Sequence, residues 1–282
     1  MKEYTKNPHH INTSKNVYEF IINIYGCLKL KKSSIIINSM IFFHKYYLYN
    51  LINNSIIDIN NKDFSLLCIS CFLLGTKSSD FLMRIDDILK CIYDNNILQN
   101  DNNPMENHKK IISYYEYEVL ESLGFDIKSY DINLKYAYYI FDIINNQIHI
   151  EKDEAKLKKA KEYLIAQIRY SFILPFFLKF NPSTIILSTI NIFFKKLKKN
   201  IDVGQVISDL KKHDEITLSD VDNFCNLYEF LILRKNTNEV NDKNEINDNK
   251  TINMDIIKKI NLSNSDNIQL NSSNNYSQIN IK

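Results

Sequence analysis

The sequence predicts an all-α fold of two helical bundles in tandem, and three observations carry that expectation. Only 4 Gly and 4 Pro interrupt 282 residues, too few for an all-β chain that must turn about every 8 to 12 residues. Apolar residues between Ser14 and Lys235 recur at helical spacing in about ten segments, which divide five and five. One segment in each half is apolar around its whole circumference and must therefore be enclosed by the others. With 45% hydrophobic and 24% charged residues, the chain has the apolar mass of one or two soluble domains.

Taken in order, the first segment opens at Ser14, read as an N-cap, and buries Val17, Phe20, Ile21, Ile24 and Leu28 on one face. Segments over 34–53, 63–77, 84–93 and 108–123 complete the first set. The third of these, Phe64 to Thr76, is the enclosed one, and Cys68, Cys71 and Gly75 form a stripe of small residues on it that lets neighbouring backbones approach. The second set covers 132–146, 154–171, 182–198, 203–212 and 218–234. Asn181-Pro182 is its clearest start signal, a capping side chain followed by the residue whose missing N–H costs nothing at the first helical position. Ser183 to Phe194 is the enclosed helix of this half.

The domain organisation that follows is a flexible N-terminus over 1–13, a first bundle over 14–128, a second over 129–235 and a tail over 236–282. In the tail 14 of 47 residues are Asn and Tyr276 is the only aromatic. Such a segment cannot offset about 1–2 kcal/mol of backbone entropy per residue, so it is expected to be disordered. Asp94 to Glu106 reads as similar polar filler.

Composition also excludes function classes. Lys+Arg at 35 against Asp+Glu at 33 gives a net charge of +2, too balanced for a protein whose main work is gripping phosphate backbones or anionic lipid. No apolar run reaches the roughly 18 residues of a membrane span. Five cysteines, an odd number set mostly in apolar runs with no signal peptide before them, point to a reducing intracellular setting. Nucleus and/or cytoplasm is the expected location, with the nucleus favoured and secretion excluded.

Few residues suggest chemistry. Cys68-Ile-Ser-Cys71 is formally a CxxC, but it has no further ligands and no exposed helix start, so it reads as core packing. His9, His10, His44, His108, His149 and His213 show no metal-ligand spacing and are expected at the surface or an interface. Lys195, Lys196, Lys198 and Lys199 read first as cations favoured at a helix C-terminus, and second as a nuclear-targeting cluster. No nucleophile stands beside a base, no carboxylate pair stands out and no phosphate-cradling loop exists. The sequence therefore reads as a binding protein without cofactor or metal, not an enzyme.

Four stretches in a fixed order resemble the cyclin family, specifically transcription-type cyclins of the L, K, T and Q classes, over residues 14 to 235. Phe43-His44-Lys45-Tyr46-Tyr47 looks like the FHRFF or HRFY stretch of the second helix. Cys71 to Leu89 (CFLLGTKSSDFLMRIDDIL) is similar to the central helix, its terminal Lys and the start of the fourth helix. Glu116 to Asp126 (EYEVLESLGFD) is similar to the Glu-Arg-Arg-Val-Leu-Lys-Glu-Leu-Gly-Phe of L-type cyclins, and Phe180-Asn-Pro182-Ser-Thr-Ile185 matches the start of the second central helix.

The resemblance implies two five-helix cyclin boxes and a regulatory subunit that activates a cyclin-dependent kinase by holding its C-helix inward. It further implies that Lys77 and Glu116 pair and bind the kinase backbone, and that Leu120, Phe125 and Ile127 pack on the C-helix. On residue type alone, Lys77 is a helix-terminal cation and Glu116 part of a solvated face. No membrane and no direct nucleic-acid partner is expected.

The departures from the family pattern matter too. Ser78, Ser79 and Asp80 stand where an acidic pair usually follows the Lys, and Ile186, Leu187 and Phe193 replace small residues of the second central helix. The first helix has no substrate-docking patch of the Met-Arg-Ala-Ile-Leu kind, and none of the three arginines starts an Arg-x-x-Leu degradation signal. These features favour a transcription or splicing-linked kinase partner over a mitotic one. The alternatives are a TFIIB-like paired-box transcription factor, which would carry an N-terminal zinc ribbon and a basic face, and a diverged cyclin-fold scaffold that activates no kinase.

Overall fold

A computed structural model of the protein describes residues 8–53, 63–98, 105–128, 130, 134–148, 153–210 and 216–233. Among these residues every regular element is helical. The helices are α1 (Pro8–Cys27), α2 (Ser34–Ile52), α3 (Phe64–Ser78), α4 (Ile85–Asp94), α5 (Met105–Ser122), α6 (Leu134–Ile148), α7 (Glu154–Ser171), α8 (Pro182–Lys196), α9 (Val203–Asp209) and α10 (Leu218–Tyr228). A 3₁₀ turn spans Phe176–Leu178 and a π turn spans Glu229–Leu233. The tail expected over 236–282 lies outside the described residues.

Two enclosed helices organise the packing. In α3 every side chain from Leu66 to Thr76 is buried, and the helix packs against α1, α2 and α5. In α8 every residue from Thr184 to Phe194 is buried, against α6, α7 and α10. The small-residue stripe on α3 does what its composition predicts at Gly75. A Cβ there would strike the Ser39 hydroxyl and would lie 2.8 Å from the Ile35 carbonyl oxygen, so α2 crosses α3 at backbone contact. The second core helix achieves closeness differently. Its Ser188 and Asn191 face α10, where the Cys225 thiol lies 3.8 Å from the Ser188 carbonyl and 3.7 Å from the Asn191 amide nitrogen.

Helix ends follow from side-chain chemistry. Asn181 accepts the Thr184 N–H at 2.7 Å, with Pro182 next to it in the first turn. Asp153, Asp202 and Thr217 cap α7, α9 and α10 in the same manner. With glycine so scarce, left-handed C-terminal turns are made mostly by other residues. Lys29, Asp80, Asn96 and Lys198 take φ of 51°, 50°, 51° and 57°, and Gly124 takes 60°. Behind each, an N–H closes back on a carbonyl five residues earlier, as Phe81 does on Thr76 at 2.9 Å and Phe125 on Leu120 at 2.8 Å.

Two sequence expectations need correction. The first helix begins at Pro8, ahead of Ser14, and Ser14 is buried inside it with its hydroxyl 3.4 Å from His10 Nε2. Ile11 and Thr13 are buried too, so the apolar face extends past the polar residues that suggested a cap. The histidines are the second correction, because His10, His44 and His108 are buried rather than superficial. His108 meets the Tyr93 hydroxyl through Nδ1. His44 Nε2 donates to the Phe172 carbonyl at 3.0 Å, joining α2 to the turn after α7. Burial pushes the His44 pKa down to about 4, outweighing the backbone hydrogen bonds that favour the charged form.

Candidate functional site

The pair singled out by the resemblance comes together in space. Lys77 lies in the last turn of α3, Glu116 lies midway along α5, and Lys77 Nζ donates to Glu116 Oε1. The side chains are 37% and 15% exposed, so the pair sits at the rim of the first bundle with the carboxylate the better shielded. An exposed ion pair of this kind adds at most about 1 kcal/mol to folding.

The end of α3 that carries Lys77 is held by groups the sequence reading passed over. Asn38, fully buried in α2, donates through Nδ2 to the Ser78 and Ser79 hydroxyls at 3.2 and 3.1 Å. Its Oδ1 accepts the Tyr130 N–H at 3.2 Å, so one amide ties the end of α3 to the segment that leaves α5. Lys32 donates to the Ser79 carbonyl as well. Ser78 and Ser79 therefore face inward to satisfy Asn38, and Asp80 supplies the left-handed turn. An Asn within the apolar run Ile35 to Met40 was the available signal, since a buried amide must find partners.

The three apolar positions divide. Leu120 and Ile127 are half-buried against the core, whereas Phe125 is 59% exposed. Phe125 also has φ of +60°, directly after Gly124 at +60°. A bulky residue in that region is strained by roughly 1–2 kcal/mol. Its ring makes an edge contact with exposed Tyr117, centroids 6.0 Å apart. Tyr117, Tyr114, Phe81 and Leu82 are further exposed apolar residues on α5 and just beyond α3. Residue pattern alone did not pick them, because an isolated exposed aromatic carries no periodic signal. Lys77 and Glu116 thus offer a cation and a shielded carboxylate, and α5 and the segments after α3 and α5 carry exposed rings, a combination suited to docking a protein. Among the described residues no group of three or more His, Cys, Asp or Glu could hold a metal ion, and no helix is long and apolar enough to cross a membrane. The CxxC pair is buried in α3 as core, and burial holds both thiols protonated.

No family model matches the sequence, and no curated protein matches it. Among solved structures, a chain in the structure of the CAK complex from Chaetomium thermophilum bound to ATP-gamma-S superimposes with a TM-score of 0.56 at 15% identity, covering 98% of this chain and 83% of that one. At that identity the likeness is one of fold, and the all-helical structure is consistent with the all-α cyclin-box fold.

Proposed function

We propose that this chain is a cyclin-type regulatory subunit that docks on a cyclin-dependent kinase and holds the kinase C-helix inward. In this reading the first box covers 14–128 and the second 129–235. The observation that carries the reading is the Lys77–Glu116 pair at the rim of the first bundle, with exposed Phe125 and half-buried Leu120 and Ile127 on the segment that follows. The fold neighbour belongs to the CAK complex bound to ATP-gamma-S, which fits a chain that works beside a nucleotide-binding kinase. Activation would be a shift of the kinase's own equilibrium, achieved by binding the active arrangement better than the inactive one. The chain itself transfers no phosphate. A kinase linked to transcription or RNA processing suits the sequence departures, and a nuclear location follows from that partner.

The experiment is affinity capture from native cells followed by titration of the recovered kinase. Lys77→Ala and Glu116→Ala should each weaken binding by about 2–5 kcal/mol, because truncation strands a desolvated charge on the other side. Folding should change by no more than about 1 kcal/mol. The swap of Lys77→Glu with Glu116→Lys should fold and still fail to activate. Capture of no kinase, or wild-type affinity in both single variants, overturns the assignment.

A further inference from the structure

The proposed docking residues all lie in the first bundle, yet the end of α3 that carries Lys77 is tied across to the second. Asn38 Nδ2 donates to both Ser78 and Ser79, while its Oδ1 accepts the Tyr130 N–H. Tyr130 then crosses over. Its hydroxyl donates at 3.2 Å to the carbonyl of Phe180, the residue just ahead of the Asn181 cap of α8. Its ring meets Phe172 and Phe177 edge-on, with centroids 6.0 and 5.8 Å away. A second crossing leaves the same helix, since His44 of α2 bonds the Phe172 carbonyl and its ring lies 6.2 Å from Phe177. Packing alone does not require a polar tie inside the apolar run Ile35 to Met40, because a hydrophobic residue of similar volume would fill the site as stably. A buried amide bonded through both its nitrogen and its oxygen instead fixes one arrangement of the three segments that it joins.

We propose that the second bundle positions the docking cation: Tyr130 and Asn38 are positioning residues that transmit its placement through Ser78 and Ser79 to Lys77. The proposal rests on the kinase-docking reading of that site and says what governs it. Asn38 is fully buried, so it acts on the partner only through the last turn of α3. That turn closes with the Ser79 N–H on the Gly75 carbonyl at 3.2 Å, the Asp80 N–H on the Lys77 carbonyl at 3.1 Å and the Phe81 N–H on the Thr76 carbonyl at 2.9 Å. With the turn held, Lys77 keeps one placement beside Glu116 and loses little freedom when a partner covers it. Coupling of this kind is reciprocal, so a kinase that fixes Lys77 also steadies the Tyr130 N–H.

The test cuts the tie on either side of Asn38 in the full chain. Ser78→Ala with Ser79→Ala removes the link to α3, and Tyr130→Phe removes the link to Phe180 while keeping the ring. Backbone hydrogen exchange in the free chain comes first. The Asp80 and Phe81 amides should exchange about two- to tenfold faster in both variants, the effect of one net hydrogen bond, while amides in the middle of α8 keep wild-type rates. Titration of the captured kinase should then show a loss of affinity of the same size. In a Lys77→Ala background that loss should shrink below about twofold, because residues acting through Lys77 cannot add to its removal. Unchanged exchange at Asp80 and Phe81 overturns the tie whatever the chain binds. Wild-type affinity in both variants, or equal losses with and without the Lys77 side chain, overturns the positioning role and leaves the docking reading standing. Capture of no kinase overturns the docking reading itself, and the positioning of its cation falls with it.

Discussion

Replacing Gly75 by Ala tests the packing that sets the end of α3. The new methyl would collide with the Ser39 hydroxyl and lie 2.8 Å from the Ile35 carbonyl oxygen and 3.0 Å from the Ser39 nitrogen. The hydroxyl can rotate away, but two of the three atoms belong to the α2 backbone. That helix must therefore retreat by roughly half an ångström to restore ordinary contact. Each atom pair loosened by that much loses about a quarter to a half of a well about 0.1–0.2 kcal/mol deep. Summed over a helix interface, and with local strain, the cost is about 1–3 kcal/mol. Alanine returns about 1 kcal/mol through helix propensity, which leaves a net loss of up to about 2 kcal/mol, and Gly75→Leu loses more. Urea unfolding of the full chain followed by circular dichroism measures it. Adding Ser39→Ala should rescue only part of the loss, since the Ile35 contact remains. A Gly75→Ala chain more stable than wild type by the roughly 1 kcal/mol that helix propensity alone returns would refute the backbone contact.

Two further outcomes follow from single residues. His44 has its folded pKa pushed down to about 4 against about 6.5 when unfolded, so the unfolded chain binds the extra proton. Its contribution is complete above pH 6.5 and falls by up to about 3 kcal/mol as pH drops toward 4. In His44→Gln, which keeps an N–H for Phe172, the unfolding free energy should decline less steeply over that window, and an unchanged slope would refute the assignment. At position 125, Phe125→Gly should be more stable than Phe125→Ala by about 1 kcal/mol in thermal unfolding, because only glycine relaxes at φ of +60°. Equal stabilities would mean the residue leaves the left-handed region freely.

The legible parts of the fold were those written in apolar periodicity. Nine of the ten expected helices overlie an observed helix with ends within a few residues, and both enclosed helices are enclosed. The exception is α1, where Pro8 to Thr13 looks polar in isolation and becomes helical because Ile11 and His10 find a buried face. Asn38 and His44 were illegible for a related reason. Each is one polar residue inside an apolar helix, and its partner lies far along the chain, Tyr130 for Asn38 and Phe172 for His44. Type alone says that such groups must be bonded, while only the fold says to what. The Lys77–Glu116 pair was likewise invisible to residue pattern, separated by 39 positions, and came into view through the family resemblance. The CxxC that did stand out, Cys68 and Cys71, is buried core, as its apolar surroundings indicated.

The rim around Lys77 is built from features that folding alone would remove. Phe125 is strained and more than half exposed, and Leu82 is 87% exposed immediately after α3. Each would be better as a small or polar residue if stability were the sole constraint, since a polar surface solvates more favourably and glycine relieves the dihedral. Yet the frame beneath them is rigid. Asn38 fastens the end of α3 and the exit of α5 to one buried amide, and Gly75 brings α2 against α3 just ahead of Lys77. A strained, exposed Phe125 on an over-determined frame is a preorganised surface, because little conformational freedom is left to lose when a partner covers it. The proposed docking reading draws on that distribution, since a scaffold released from function has no need of a strained or exposed apolar residue there.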